Sequence, residues 1–83
     1  MKYRAKVEVS LKAGHSDPEG ETTAQSLKEL KYPVESVKVS KVYTIEFRAD
    51  SMKEAETYVD KMCRQLLANP TKDNYSFTIE ETK

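Results

Sequence analysis

From residue 3 to residue 11 apolar and polar side chains alternate without a break. Tyr3, Ala5, Val7, Val9 and Leu11 fall on one side, and Arg4, Lys6, Glu8 and Ser10 on the other. A period of two is that of a strand with one face buried and one wet. Lys12-Ala13-Gly14-His15-Ser16 then turns the chain, and the pattern changes to that of a helix. Asp17 suits the N-cap, Pro18 the first helical position, and Glu19 the positive end of the helix dipole. Ala24, Leu27 and Leu30 form a narrow apolar stripe. The helix is expected to stop before Tyr32-Pro33, because the residue ahead of a proline is pushed out of the helical region.

Residues 34–49 read as a long β segment. Val37 and Val39 share one face, as do Tyr43, Ile45, Phe47 and Ala49. A two-residue loop at Ser40-Lys41 would put these two sets on opposite faces. A three-residue loop, Ser40-Lys41-Val42, brings Val39 opposite Tyr43 and Val37 opposite Ile45, so a hairpin with an odd loop or a bulge is predicted. Ser51-Met52-Lys53-Glu54 is a capping box that opens a second helix. Its stripe is Ala55, Val59, Met62 and Leu66, widened by Met52, Cys63 and Leu67. Pro70 ends this helix by Ala68, and Tyr75, Phe77 and Ile79 alternate with Ser76, Thr78 and Glu80 in a last strand. The predicted order is βαββαβ: a single α+β domain over residues 1–83, an antiparallel sheet with two helices on one face, in ferredoxin-like strand order.

Eighty-three residues leave room for one domain and a marginal core. With an apolar share of 37% and a single cysteine, Cys63, the chain cannot staple itself with a disulfide. His15 is the only histidine, so a Cys/His metal cluster is excluded as well. Association with other chains remains as the expected source of stability. Basic and acidic residues balance at 14 each, which gives no bulk attraction for nucleic acid or anionic lipid. No apolar run is long enough to cross a membrane, and the N-terminus leads straight into strand alternation. A soluble, cytoplasmic protein is expected.

No reaction can be assembled from these side chains. The two glycines, Gly14 and Gly20, are isolated and make no phosphate loop. Cys63 lies beside an apolar helical stripe, where cysteine acts as a small hydrophobe. His15 sits in a polar turn, and Glu54, Glu56 and Asp60 belong to the wet side of the second helix. RNA-binding domains of this strand order stack bases on exposed aromatics and carry a basic-Gly-aromatic signature. Here Tyr43 and Phe47 fall on the buried face, and the signature is missing. Small regulatory domains that bind amino acids between paired sheets share the order and stay open as an alternative.

Several stretches, taken in order and at this length, resemble the PurS family, the small subunit of phosphoribosylformylglycinamidine synthase. They are Val9-Ser10-Leu11-Lys12, Asp17-Pro18-Glu19-Gly20, Val37-Lys38-Val39-Ser40-Lys41 and Met62-Cys63-Arg64-Gln65-Leu66-Leu67-Ala68-Asn69-Pro70, followed by Asp73-Asn74-Tyr75. The chain departs from the family at Ser40, where members commonly have glycine, and at Lys31-Tyr32, where they have Gly-Tyr. The resemblance implies a non-catalytic subunit in purine biosynthesis that binds no cofactor of its own. It also implies self-association as a homodimer or larger oligomer, and a bridge between two other subunits. One is a glutaminase; the other is a large synthetase that uses ATP and magnesium. Loops on a rigid scaffold are where such contacts lie. The candidate interface is therefore Asp17, Pro18 and Gly20 at the first helix start, Lys41 in the hairpin, and Leu67, Ala68, Asn69, Pro70 and Tyr75 around the second helix stop. Each stretch also has a purely architectural reading, as an N-cap or a helix stop. Gly20 inside a helix costs about 1 kcal/mol relative to alanine, which points to close backbone approach there.

Overall fold

The computed structural model describes all 83 residues. The first strand, β1 (Lys2–Leu11), lies at the centre of a three-stranded antiparallel sheet. β2 (Lys41–Arg48) and β3 (Asp73–Thr82) flank it as the two edges. The alternation of β1 sets the register on both sides. Tyr3, Ala5 and Val7 stand opposite Phe47, Ile45 and Tyr43 of β2. Ala5, Val7 and Val9 stand opposite Ile79, Phe77 and Tyr75 of β3. Every apolar set therefore faces one way, as burial of a single face requires.

The helix α2 (Met52–Met62) covers that face, burying Ala55 and Val59 against Ala5, Val7 and Val9 or Tyr3 and Ala49. Its start is the predicted cap: Ser51 Oγ accepts from the Glu54 N–H at 3.1 Å, and Glu54 Oε1 accepts from the Asp50 N–H at 2.9 Å. The opposite face of the sheet is wet. Arg4 reaches across it, with Glu46 at 3.0 Å on one neighbouring strand and Glu80 at 3.2 Å on the other. That single guanidinium ties all three strands together.

Three elements differ from expectation. After Met62 the helix continues as a π-turn, Cys63–Leu67, closed by the Ala68 N–H donating to the Cys63 carbonyl at 2.9 Å. A wider turn advances each residue by a smaller angle than an α-helix does. Leu66 is thereby carried off the buried stripe and stands 83% exposed, while Leu67 swings in to pack on the core. Leu66 is a surface residue, not the core residue its spacing predicted.

The second difference concerns residues 34–40. They join no ladder, so the predicted hairpin does not form and one chain supplies three strands. The chain passes from residue 40 straight into β2, since Lys41 and Val42, two of the three residues expected to form the loop, are the first two residues of that strand. The apolar positions of β2 find their partners on β1 instead.

Helix α1 (Pro18–Glu29) makes no more than marginal contact with the sheet or α2. It leaves the end of the sheet as an arm, with residues 30–40 as its return limb, rather than lying over the apolar face. The molecule is accordingly long and thin, 51 × 29 × 13 Å, with a radius of gyration of 16.4 Å. A compact chain of this length would have about 12 Å.

Candidate subunit interface

Asp17 stands where the arm meets the sheet. One carboxylate oxygen accepts from the Gly20 N–H at 2.9 Å, the expected N-cap bond. The other accepts from the Val39 N–H, also at 2.9 Å, on the return limb just before β2. These two donors, Val39 the stronger, hold the carboxyl below the usual carboxylate range, and Lys38 lowers it further. Gly20 is buried because the return limb presses on it: a Cβ there would lie 2.3 Å from the Val37 carbonyl oxygen. The close approach expected from a glycine inside a helix is thus real, and it is made by this chain's own backbone. Pro18 is exposed in the same turn.

The second helix stop reaches the same end of the sheet. The Asn69 side-chain oxygen accepts from the Thr71 N–H at 2.9 Å, its own N–H donates to Asp73 Oδ2 at 2.8 Å, and its carbonyl accepts from the Asp73 N–H at 2.8 Å. Such an Asx turn reverses the chain in a few residues. Lys12 ties the turn to β1, its backbone N–H donating to the Lys72 carbonyl at 2.7 Å and its ammonium to the Pro70 carbonyl at 3.0 Å. Between the two loops lies an open groove of about 210 Å³, which brings together Asp17, Lys41 and Leu67 with Glu19, Val39 and Asp73. Three residues singled out on separate stretches of sequence therefore share one surface.

The other candidates are placed differently. Asn69 and Pro70 are exposed on the turn, whereas Ala68 is buried in the core. The Tyr75 hydroxyl donates to Asp60 Oδ1 at 2.7 Å, and Arg64 pairs with the other oxygen of Asp60. That bond and burial push the Tyr75 phenol up. It is a strut between β3 and α2. Cys63 lies in the core, and burial pushes its thiol up as well, away from the thiolate that nucleophilic chemistry needs.

Spacing did not mark two exposed apolar sites. Leu30 (68% exposed) and Tyr32 (58%) stand bare at the tip of the arm, and Leu66 stands bare on the π-turn. Leu30 lay on a predicted buried stripe; only the absence of a sheet beneath α1 turns it outward. Tyr3, Tyr43, Phe47, Tyr75 and Phe77 all lie on the face that α2 covers. The open face of the sheet therefore has no aromatic platform on which bases could stack.

Residues 4–81 match the model of the PurS family, described as phosphoribosylformylglycinamidine (FGAM) synthase. The chain is 42% identical to the phosphoribosylformylglycinamidine synthase subunit PurS of Archaeoglobus fulgidus over 78 residues, covering 93% of this chain and 98% of that one. The structure of Thermus thermophilus PurS superposes along 100% of both chains with a TM-score of 0.90 at 38% identity. A chain in the structure of PurLQS from Thermotoga maritima superposes with a TM-score of 0.87 at 28% identity, covering 96% of this chain and 99% of that one.

Proposed function

The chain belongs to the PurS family, and from that premise we propose that it serves as the small, non-catalytic subunit of FGAM synthase in purine biosynthesis. It self-associates and bridges the glutaminase subunit, which frees ammonia from glutamine, to the large synthetase subunit. ATP and magnesium act on the synthetase, where ammonia is added to formylglycinamide ribonucleotide. One observation carries this reading: large apolar side chains are left uncovered on several elements, among them Leu30 and Tyr32 on the arm, Val42 on β2 and Leu66 on the π-turn. Bare apolar side chains at the tip of a projecting element mark a contact surface. A subunit with more than one such surface can hold two others together.

What the bridge supplies is proximity. Holding two enzymes in one assembly replaces a diffusive encounter with a high local concentration of one active site near the other. A closed junction also keeps ammonia from water until it reacts. The test is reconstitution of the three subunits. Omitting this chain is expected to abolish glutamine-dependent product formation and to spare synthesis driven by added ammonia. Equal glutamine-dependent rates with and without the chain would refute the bridging role.

A further inference from the structure

The arm is joined to the sheet covalently through residues 12–16, which include Gly14 at φ 88°, and through residue 40. Its marginal contact with the sheet leaves the return limb against Gly20 and the bonds at its base to fix its direction. A helix held only by two short connections would swing, and its apolar tip would have no defined position.

We propose that Asp17 is the positioning residue of this subunit: by gripping Gly20 and Val39 at once, its carboxylate fastens the start of α1 to the return limb two residues before that limb enters β2, and so fixes the angle of the arm to the sheet. The lock thereby aims Leu30 and Tyr32 at their contact. The second half of this statement rests on the assembly reading above; the first half does not.

The geometry separates the lock from an ordinary cap. Capping a helix takes one acceptor, and the oxygen at 2.9 Å from the Gly20 N–H supplies it. The second oxygen is surplus to that task, and it is spent on Val39, 22 residues away along the chain and two before β2. Gly20 completes the arrangement from the other side. Only the lack of a side chain lets the Val37 carbonyl come close enough to bring the Val39 N–H into reach.

Asp17→Asn tests this directly. Asparagine caps a helix as well as aspartate does, so the Gly20 bond survives. The second oxygen becomes an NH2 group, however, which faces the Val39 N–H donor to donor. In the full-length variant, amide exchange followed by NMR is expected to leave Gly20 protected and to speed exchange at Val39 about tenfold or more, the size of a lost charge-assisted hydrogen bond. Spin labels on Gln25→Cys in α1 and Thr78→Cys on the open sheet face report the angle itself, with labelled chains diluted in unlabelled ones. The distance distribution is expected to be narrow with Asp17 and broad with Asp17→Asn. Gly20→Ala keeps both acceptors and adds a better helix former, yet should release the arm in the same way, because its Cβ meets the Val37 carbonyl.

A distance distribution that stays narrow in Asp17→Asn, or Val39 and Gly20 amides that both stay protected, overturns the lock. A broadened arm with undiminished assembly overturns its role in aiming the contact. A wild-type chain that stays monomeric counts against self-association alone, and the distance measurement still decides on Asp17.

Discussion

Lys31 occupies a backbone conformation that belongs to glycine. Its φ is 75°, just past the end of α1, and around it the chain closes a Schellman motif. The Lys31 N–H donates to the Lys28 carbonyl at 2.9 Å and the Tyr32 N–H to the Leu27 carbonyl at 3.1 Å. Left-handed backbone costs a residue with a Cβ roughly 1–2 kcal/mol, and glycine gives back part of that in chain entropy. Lys31→Gly is therefore expected to raise stability by about 0.5–1 kcal/mol. A urea unfolding midpoint that rises at unchanged slope checks it. The stop itself was legible, since Pro33 announces it. The sign of φ was not, because nothing in the run Leu30-Lys31-Tyr32 marks a lysine as the left-handed residue.

At the scale of elements, β1 could be read residue by residue because its two faces meet different solvents and the alternation never lapses. The π-turn could not. It leaves the pattern of side chains untouched and changes only the angle at which each departs, so spacing puts Leu66 on the main stripe and Leu67 at its margin, the reverse of what the turn does. Leu66→Ala should change stability by no more than about 0.5 kcal/mol, as expected for a surface site, whereas Val59→Ala, fully buried, should cost about 2 kcal/mol. Thermal unfolding of the two variants side by side decides the matter. Residues 34–40 were misread for a related reason. Val37 and Val39 alternate as a strand does, but residues 34–40 pair with neither open edge of the sheet.

The junction at Asp17 adds a pH dependence whose direction follows from its cause. The Val39 and Gly20 N–H groups lower the folded-state pKa, with Lys38 assisting, so the carboxylate is favoured in the folded chain. Glu19 and Lys41 share the groove beside it. The contribution is whole above the unfolded carboxylate value of about 3.9 and is lost as pH falls through the lower folded value. Protection of the Val39 amide should therefore hold steady from neutral pH down to about 4 and fail below it. In Asp17→Asn it should be low throughout. Protection that fails near pH 6 would place the titrating group elsewhere.

For the molecule as a whole, composition predicts a marginal core, and the outline of the chain shows which part adds no interior. α2 and the sheet make a compact body, while α1 and its return limb add length without adding interior. The radius of gyration of 16.4 Å is the measure of that missing burial. Mass action then governs how firmly such a chain is folded. If the bare arm finds its cover only in another chain, the native state gains a term that grows with the logarithm of the amount of protein present, and the unfolded state does not. Calorimetry on a dilution series should show the melting temperature climbing as the solution is made stronger. A melting point indifferent to dilution would mean that the arm is as stable bare as covered. On this view the cell sets the stability of the subunit through how much of it is made, and a chain without companions is the one first lost to unfolding.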